Sequence, residues 1–162
     1  THCFVGIGSN ETPEHYCKLM IAALMDKFED IWVSSFCRSK ASGVDANDYI
    51  NCVVYITTHI NKKKLKQWCQ QLENKLGRVR QSIVCHADLD ILLMTESLTD
   101  INHPFAIDSY YRELFKQIAG HVSKTTIEYQ LNLSSIVFLK IIDSTLTNTH
   151  PLHITQQTSI AL

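Results

Sequence analysis

The sequence predicts an α+β fold, an antiparallel sheet with helices packed on it, and three observations carry that expectation. Apolar segments follow in the order strand, helix, strand, strand, helix, strand, with one more helix after them. Two of the strands, Tyr49 to Thr58 and Asp88 to Met94, are rich in β-branched and aromatic or aliphatic residues. The chain has 162 residues, 45% of them hydrophobic and 19% charged, enough for one compact core and too apolar for a disordered segment. The βαββαβ order is that of the ferredoxin-like arrangement.

Each element has a local reason. Cys3 to Ile7 is a short apolar run closed by Gly8-Ser9-Asn10, which reads as a strand entering a turn. Thr12-Pro13-Glu14 opens a helix, with Thr12 as candidate cap, Pro13 at the first helical position, and apolar residues at Leu19, Ala22, Ala23 and Met25. Ile31 to Phe36 is a β-rich stretch, followed by a loop from Arg38 to Asp48. Asn61 to Leu76 reads as a helix through Leu65, Trp68, Leu72 and Leu76, and Gly77 ends it. A polar loop, Arg78 to Cys85, leads into the Asp88 strand, and a His103-Pro104 turn precedes a helix over Tyr110 to Val122. Two helices are expected on one face of the sheet. Residues 1–122 are expected to form the domain. Residues 123–162 are expected as an extension packed on it, with a possible strand at Ile136 to Ile142 and a loose tail from Thr145.

Composition limits the function. Fifteen basic residues face sixteen acidic ones, for a net charge of -1, so no general field draws nucleic acid or an anionic membrane. No apolar run approaches the ~20 residues of a membrane span. The start THCFVGIGSN shows no secretory pattern, and a cytoplasmic location is expected. The six cysteines stand apart without a CxxC pair, and several lie in apolar stretches, as buried reduced thiols would. Oligomeric state is left open.

Asp88-Leu89-Asp90 is the most informative short feature. In a strand, residues two apart share a face, so both carboxylates project together. Two adjacent carboxylates raise each other's pKa unless a cation lies between them, and hard divalent ions want such oxygen ligands. The alternative is the polar face of an edge strand. His86 shares their parity and is either a third ligand or a loop histidine. Arg78 and Arg80 alternate directly after a helix end, as a phosphate-binding pair or as a solvated basic turn. Lys62, Lys63 and Lys64 read as a soluble helix start. Tyr49 and Asn51 share one strand face, where an aromatic ring and an amide could read a flat heterocycle or simply pack.

Together these strings resemble a known family. FVGIGSN at 4 to 10, VSSFCRS at 33 to 39, NDYINCVV at 47 to 54, LENKLGRVR at 72 to 80, DLDILL at 88 to 93 and HP at 103 to 104 occur in the order of the 6-hydroxymethyl-7,8-dihydropterin pyrophosphokinases of folate biosynthesis. The resemblance implies a ferredoxin-like fold and transfer of pyrophosphate from ATP to the pterin hydroxymethyl group, releasing AMP. It implies two magnesium ions on Asp88 and Asp90, and closure of Arg78 and Arg80 over the nucleotide. It further implies nucleotide contacts from Gln70, Glu73 and His103, and a pterin site of Tyr49, Asn51 and Tyr110, the last with a possible slip of one residue.

The chain also departs from the family pattern. The usual connection before the aspartates is longer and carries Trp, Gly-Pro and an arginine. Here it is only Gln81 to Ala87, with Cys85 at the arginine position. The usual Thr-Pro-Pro is Ser39-Lys40-Ala41, the first proline of a PHP motif is Asn102, and an arginine-phenylalanine pair is Ser109-Tyr110. A phosphate-directed arginine can be worth about 10³ in phosphoryl transfer, so a slow enzyme is expected unless Arg112, Lys75 or Lys116 substitutes. The alternative is a non-catalytic or repurposed homologue that binds a nucleotide, a pterin or a partner protein.

Overall fold

A computed structural model describes residues 1–28, 30–41, 46–98, 101, 107–122 and 151–155. The chain order is β1 (His2–Ser9), α1 (Pro13–Lys27), β2 (Asp30–Val33), β3 (Cys37–Ser39), β4 (Tyr49–Thr57), α2 (Lys62–Lys75), β5 (Asp88–Thr95), α3 (Ser109–Val122) and β6 (Leu152–Thr155). The strands form an antiparallel sheet in the order β5-β1-β4-β2-β6, with β3 paired to β4. The two strands joined by α1 are separated by β4, and the two joined by α2 are separated by β1. That interleaving is the split βαβ arrangement of an α+β ferredoxin-like fold.

The sheet is buried on both faces because its strands alternate between two sets of partners. Cys3, Val5 and Ile7 of β1 and Ile50, Cys52 and Val54 of β4 pack against α1 and α2. Phe4, Val53 and Tyr55 point the other way and meet Tyr111, Leu114, Phe115 and Ile118 of α3. Two helices therefore cover one face, as expected, and the third closes the other. Such fully buried aliphatic side chains each contribute on the order of 1.5–3 kcal/mol.

Several local readings are corrected. Thr12 has φ 41 and makes no side-chain cap; α1 starts on Pro13, whose fixed φ suits that position. The buried face of α1 is Cys17, Met20, Ile21, Leu24 and Met25, while Leu19 is exposed, because the whole helix is rich in apolar residues and its sequence does not single out one stripe. The segment from Arg38 begins inside β3, whose three residues pair with Tyr49, Ile50 and Asn51. The tail is not loose throughout: β6 pairs with β2 from Asp30↔Thr155 to Val33↔Leu152. The expected strand at 136–142 and the His103-Pro104 turn lie outside the described residues.

The ends of α2 follow local chemistry. Asn61 Oδ1 accepts a hydrogen bond from the Lys64 backbone N–H at 3.0 Å, a cap worth about 1 kcal/mol. Gly77 leaves the helix at φ 89, a left-handed conformation that favours glycine. Lys62, Lys63 and Lys64 are exposed.

Candidate active site

The pairing register assembles one row of residues across the sheet. Gly8 of β1 stands opposite Asp88 of β5 on one side and Asn51 of β4 on the other, and Asn51 in turn stands opposite Cys37 of β3. One step along, Gly6 lies between Asp90 and Val53. Directly paired residues point to the same face, so Asp88, Asp90 and Asn51 all project toward the α3 side. Strand spacing puts the Asp88 and Asn51 backbones about 10 Å apart. Gly8 adds no side chain between them, and the space a Cβ would take there is met by Asn51 Oδ1 at 2.7 Å and the Tyr111 hydroxyl at 3.4 Å.

On one flank of Gly8, Asn51 is buried, and its Nδ2 donates to Ser39 Oγ at 2.7 Å. Its Oδ1 is thereby turned toward Gly8, where it lies 2.7 Å from the point a Cβ would occupy. Tyr49 lies beside it, its Cδ1 3.5 Å from the same point. Burial, reinforced by the Cys85 thiol, pushes the Tyr49 phenol up to about 12, so it stays neutral and can donate.

On the other flank, burial raises the pKa of Asp88, while Arg78 pulls it down. Asp90 is raised by burial and then by the negative charges of Asp88 and Asp108. Arg78 Nη2 stands 3.6 Å from Asp88 Oδ1, and Arg78 Nη1 is buried without a hydrogen-bond partner. An arginine with one arm on a carboxylate and another unsatisfied is suited to an added anion.

Arg80 is largely exposed, and its Nη2 reaches Glu73 Oε2 at 3.3 Å. Glu73 itself is buried, and its Oε1 accepts the Leu89 backbone N–H at 2.9 Å. Both carboxylate oxygens are therefore engaged inside the protein, tying α2 to the start of β5. Gln70, one turn earlier on α2, is exposed.

The short connection from Gln81 to Ala87 is fastened to the end of β1. Asn10 Oδ1 accepts the Cys85 N–H at 2.6 Å, Asn10 Nδ2 donates to the Ile83 carbonyl at 2.7 Å, and the Asn10 N–H donates to the Cys85 carbonyl at 3.0 Å. Ser9 Oγ adds a bond to the same Cys85 carbonyl at 3.1 Å. Cys85 is fully buried, and burial followed by the nearby Asp88 raises its thiol pKa, so it is a neutral packed group. All six cysteines are free thiols.

His86 is a loop histidine, as one of its two readings had it, but half-buried rather than solvent-exposed, and it is not a third ligand. Its ring packs edge-on to Tyr16 of α1 at 4.9 Å and lies beside Gly77, with Nδ1 buried and unpartnered. Among the described residues no three His, Cys, Asp or Glu side chains gather to hold a metal, so His86 does not join Asp88 and Asp90. β5 begins only at Asp88, and strand parity does not reach back to His86.

Of the two tyrosines that open α3, Tyr110 is half-buried and donates to Asp108 Oδ2 at 3.0 Å. Tyr111, within the one-residue slip allowed for Tyr110, is buried with its ring over Gly6. Asp108 was missed; it adds charge beside Asp90. The available signal was the Gly6-Gly8 pair within an otherwise bulky strand, which makes room for a side chain from elsewhere. His103 lies outside the described residues.

Two comparisons bear on this arrangement. The 7,8-dihydro-6-hydroxymethylpterin-pyrophosphokinase family matches residues 4–118. A curated relative, 2-amino-4-hydroxy-6-hydroxymethyldihydropteridine pyrophosphokinase of Haemophilus influenzae, is 35% identical over 96 residues, which are 56% of this chain and 60% of that protein. The match thus spans less than two thirds of that relative's length.

Proposed function

Because the chain belongs to the 7,8-dihydro-6-hydroxymethylpterin-pyrophosphokinase family, we propose that it transfers pyrophosphate from ATP to the hydroxymethyl group of 6-hydroxymethyl-7,8-dihydropterin, releasing AMP, in folate biosynthesis. The observation that carries this reading is the row through Gly8, which sets a carboxylate pair and a heterocycle-reading amide on either side of one glycine, on the same face of the sheet. Asn51 and Tyr49 hold the pterin on one flank. The ATP phosphates lie on the other, between Asp88, Asp90 and the guanidinium of Arg78. Arg80 and Gln70 contact the nucleotide from the rim, and His103, outside the described residues, is assigned a nucleotide contact through the family resemblance alone. Glu73 serves it indirectly, by holding Arg80 and the start of β5.

Magnesium fits the donors present. Asp88 and Asp90 offer hard oxygen ligands on one face, and burial first, then neighbouring carboxylates, raises their pKa values, a cost that a bound cation would offset. Two ions held by these carboxylates would supply charge neutralisation at the phosphates. The chain's own residues do the rest: Asn51 and Tyr49 orient the acceptor, and Arg78 moves its unpaired arm onto a phosphate oxygen. Gly8 puts no β1 side chain between the two flanks. Phosphoryl-type transfer needs this positioning more than a covalent nucleophile. Six thiols without a disulfide suit a reducing, cytoplasmic compartment, and no described helix is long and apolar enough to cross a membrane.

Incubation of purified protein with ATP, magnesium and the hydroxymethyldihydropterin should release AMP only when the pterin is present. Asp88→Asn and Asp90→Asn should each lower the rate by about 10²-fold or more, as expected for loss of electrostatic stabilisation. No AMP above an enzyme-free control sinks the proposal. A second reading, a repurposed homologue that only binds, draws on buried Cys85 at the family's arginine position and on the short fastened connection. Tight binding of nucleotide and pterin without AMP release would select it.

A further inference from the structure

We infer that Gln117 of α3 is a positioning residue for the Asn51 amide: its carboxamide clamps a β-bulge between β2 and β3, and that bulge sets the register that brings Ser39 to Asn51. This rests on the reading of Asn51 as a pterin-binding group and adds the residue that holds its support in place.

The bulge shows in the pairing along β4. Val33 of β2 stands opposite Val54, and Cys37 of β3 stands opposite Asn51. The chain takes four steps on one side against three on the other, so one residue is extra. Ser34 still donates its N–H to the Val53 carbonyl at 2.9 Å, but the Val53 N–H is answered by the Ser34 hydroxyl at 2.8 Å. The backbone leaves the ladder there. Ser35 follows, and a bulged residue carries a backbone N–H without a strand partner. Gln117 supplies one from α3. Its Oε1 accepts the Ser35 N–H at 2.8 Å, and its Nε2 donates to Ser35 Oγ at 2.9 Å.

The extra residue decides what faces Asn51. Continued without it, the β2 register would set Ser39 opposite Asp48, with its side chain on the α1–α2 face of the sheet. With it, Ser39 stands opposite Tyr49, on the same face as Asn51 and one diagonal step away. There its Oγ accepts from Asn51 Nδ2 at 2.7 Å. Asn51 is buried, so this bond fixes how its amide is presented to a ligand. The path runs from Gln117 through the Ser35 bulge and β3 to Ser39, and ends on Asn51.

The test separates positioning from general stability. Gln117→Leu removes both clamp bonds at similar size, Gln117→Glu keeps an acceptor for the Ser35 N–H, and Ile118→Val trims a core contact of the same helix. Gln117→Leu should raise KM for the hydroxymethyldihydropterin about three- to tenfold, the range of one displaced hydrogen bond. Its kcat and its KM for ATP should stay within about twofold of wild type. Gln117→Glu should recover most of the loss. Ile118→Val should lower Tm and leave the pterin KM alone; an equal rise there overturns the inference, as does an unchanged KM in Gln117→Leu. Added to Ser39→Ala, Gln117→Leu should cost nothing further, and additive losses would show that it does not act through Ser39.

A second readout needs no activity. The Asn51 side-chain amide resonances, identified by their loss in Asn51→Asp, should shift in the same direction in Ser39→Ala and Gln117→Leu, and stay in place in Ile118→Val. If Gln117→Leu does not fold, Ser35→Ala takes its place, with a smaller shift expected. Unmoved Asn51 resonances overturn the inference whether or not the protein turns over. Absence of AMP release from wild type overturns the functional reading alone, and the resonances then decide the positioning role.

Discussion

Asn10→Ala should release the connection that carries the site arginines into β5. The side chain accepts the Cys85 N–H at 2.6 Å and donates to the Ile83 carbonyl at 2.7 Å. Cys85 is fully buried, so its N–H would lose its partner with no water to replace it, at about 1–3 kcal/mol. Ile83 is 56% exposed, so water can satisfy its carbonyl and the second loss is about 1 kcal/mol. The sum, about 2–4 kcal/mol, corresponds to a fall in Tm of roughly 5–15 °C for a chain of this length. Asn10→Asp keeps the acceptor for Cys85 and should lose about half as much. Thermal unfolding by circular dichroism gives the magnitude, and amide hydrogen exchange gives the location, since residues 83–85 should lose protection before the central strands do. A Tm within 2 °C of wild type, with the Cys85 amide still protected, would refute the idea that Asn10 fastens this segment.

Two further outcomes follow from the acidic residues. Glu73→Ala should cost about 1–3 kcal/mol in urea unfolding, through the orphaned Leu89 N–H, whereas Glu73→Gln keeps an acceptor and most of the stability. The Arg80 contact adds little, because that arginine is largely exposed; unchanged stability in Glu73→Ala with weaker ATP binding would make Glu73 a direct nucleotide contact instead. Asp90→Asn should raise the Tm of the metal-free protein at pH 7. The folded pKa of Asp90 is raised by burial, Asp88 and Asp108, so the stability its carboxyl contributes is full below the unfolded value near 4 and is lost as pH rises through the folded value. The gain in Tm should therefore fade on acidification toward pH 4, and magnesium should stabilise wild type but not the variant. A constant difference across that range in scanning fluorimetry would show that charge is not its cause.

The two halves of the candidate site differ in how far a linear reading reaches them. That Asp88 and Asp90 share a face, and that Tyr49 and Asn51 share another strand's face, follows from the period of two within a single strand. Which faces meet does not. It depends on β1 lying between β4 and β5 with Gly8 opposite both Asn51 and Asp88, a register set by pairs about forty and eighty residues apart in sequence. The family resemblance supplied that juxtaposition as an expectation, and the pairing register accounts for it.

The remaining differences arise where one residue's shift changes the face. Tyr110 and Tyr111 are adjacent on α3, and one step around a helix turns a side chain by about 100°, enough to carry one tyrosine to Asp108 and the other onto Gly6. Composition cannot separate two tyrosines; only the glycine gap in β1 does, and it lies about a hundred residues earlier. Glu73 illustrates the same limit. On a polar helix such as α2 a glutamate reads as solvent-facing or ligand-facing, yet here it sits inside because the first buried N–H of β5 lacks a sheet partner and needs an acceptor. Side chains that answer another segment's unsatisfied backbone are written into that segment's geometry. The short connection shows this most directly, since Asn10 completes for Cys85 and Ile83 the hydrogen bonding that a seven-residue link has no room to complete for itself.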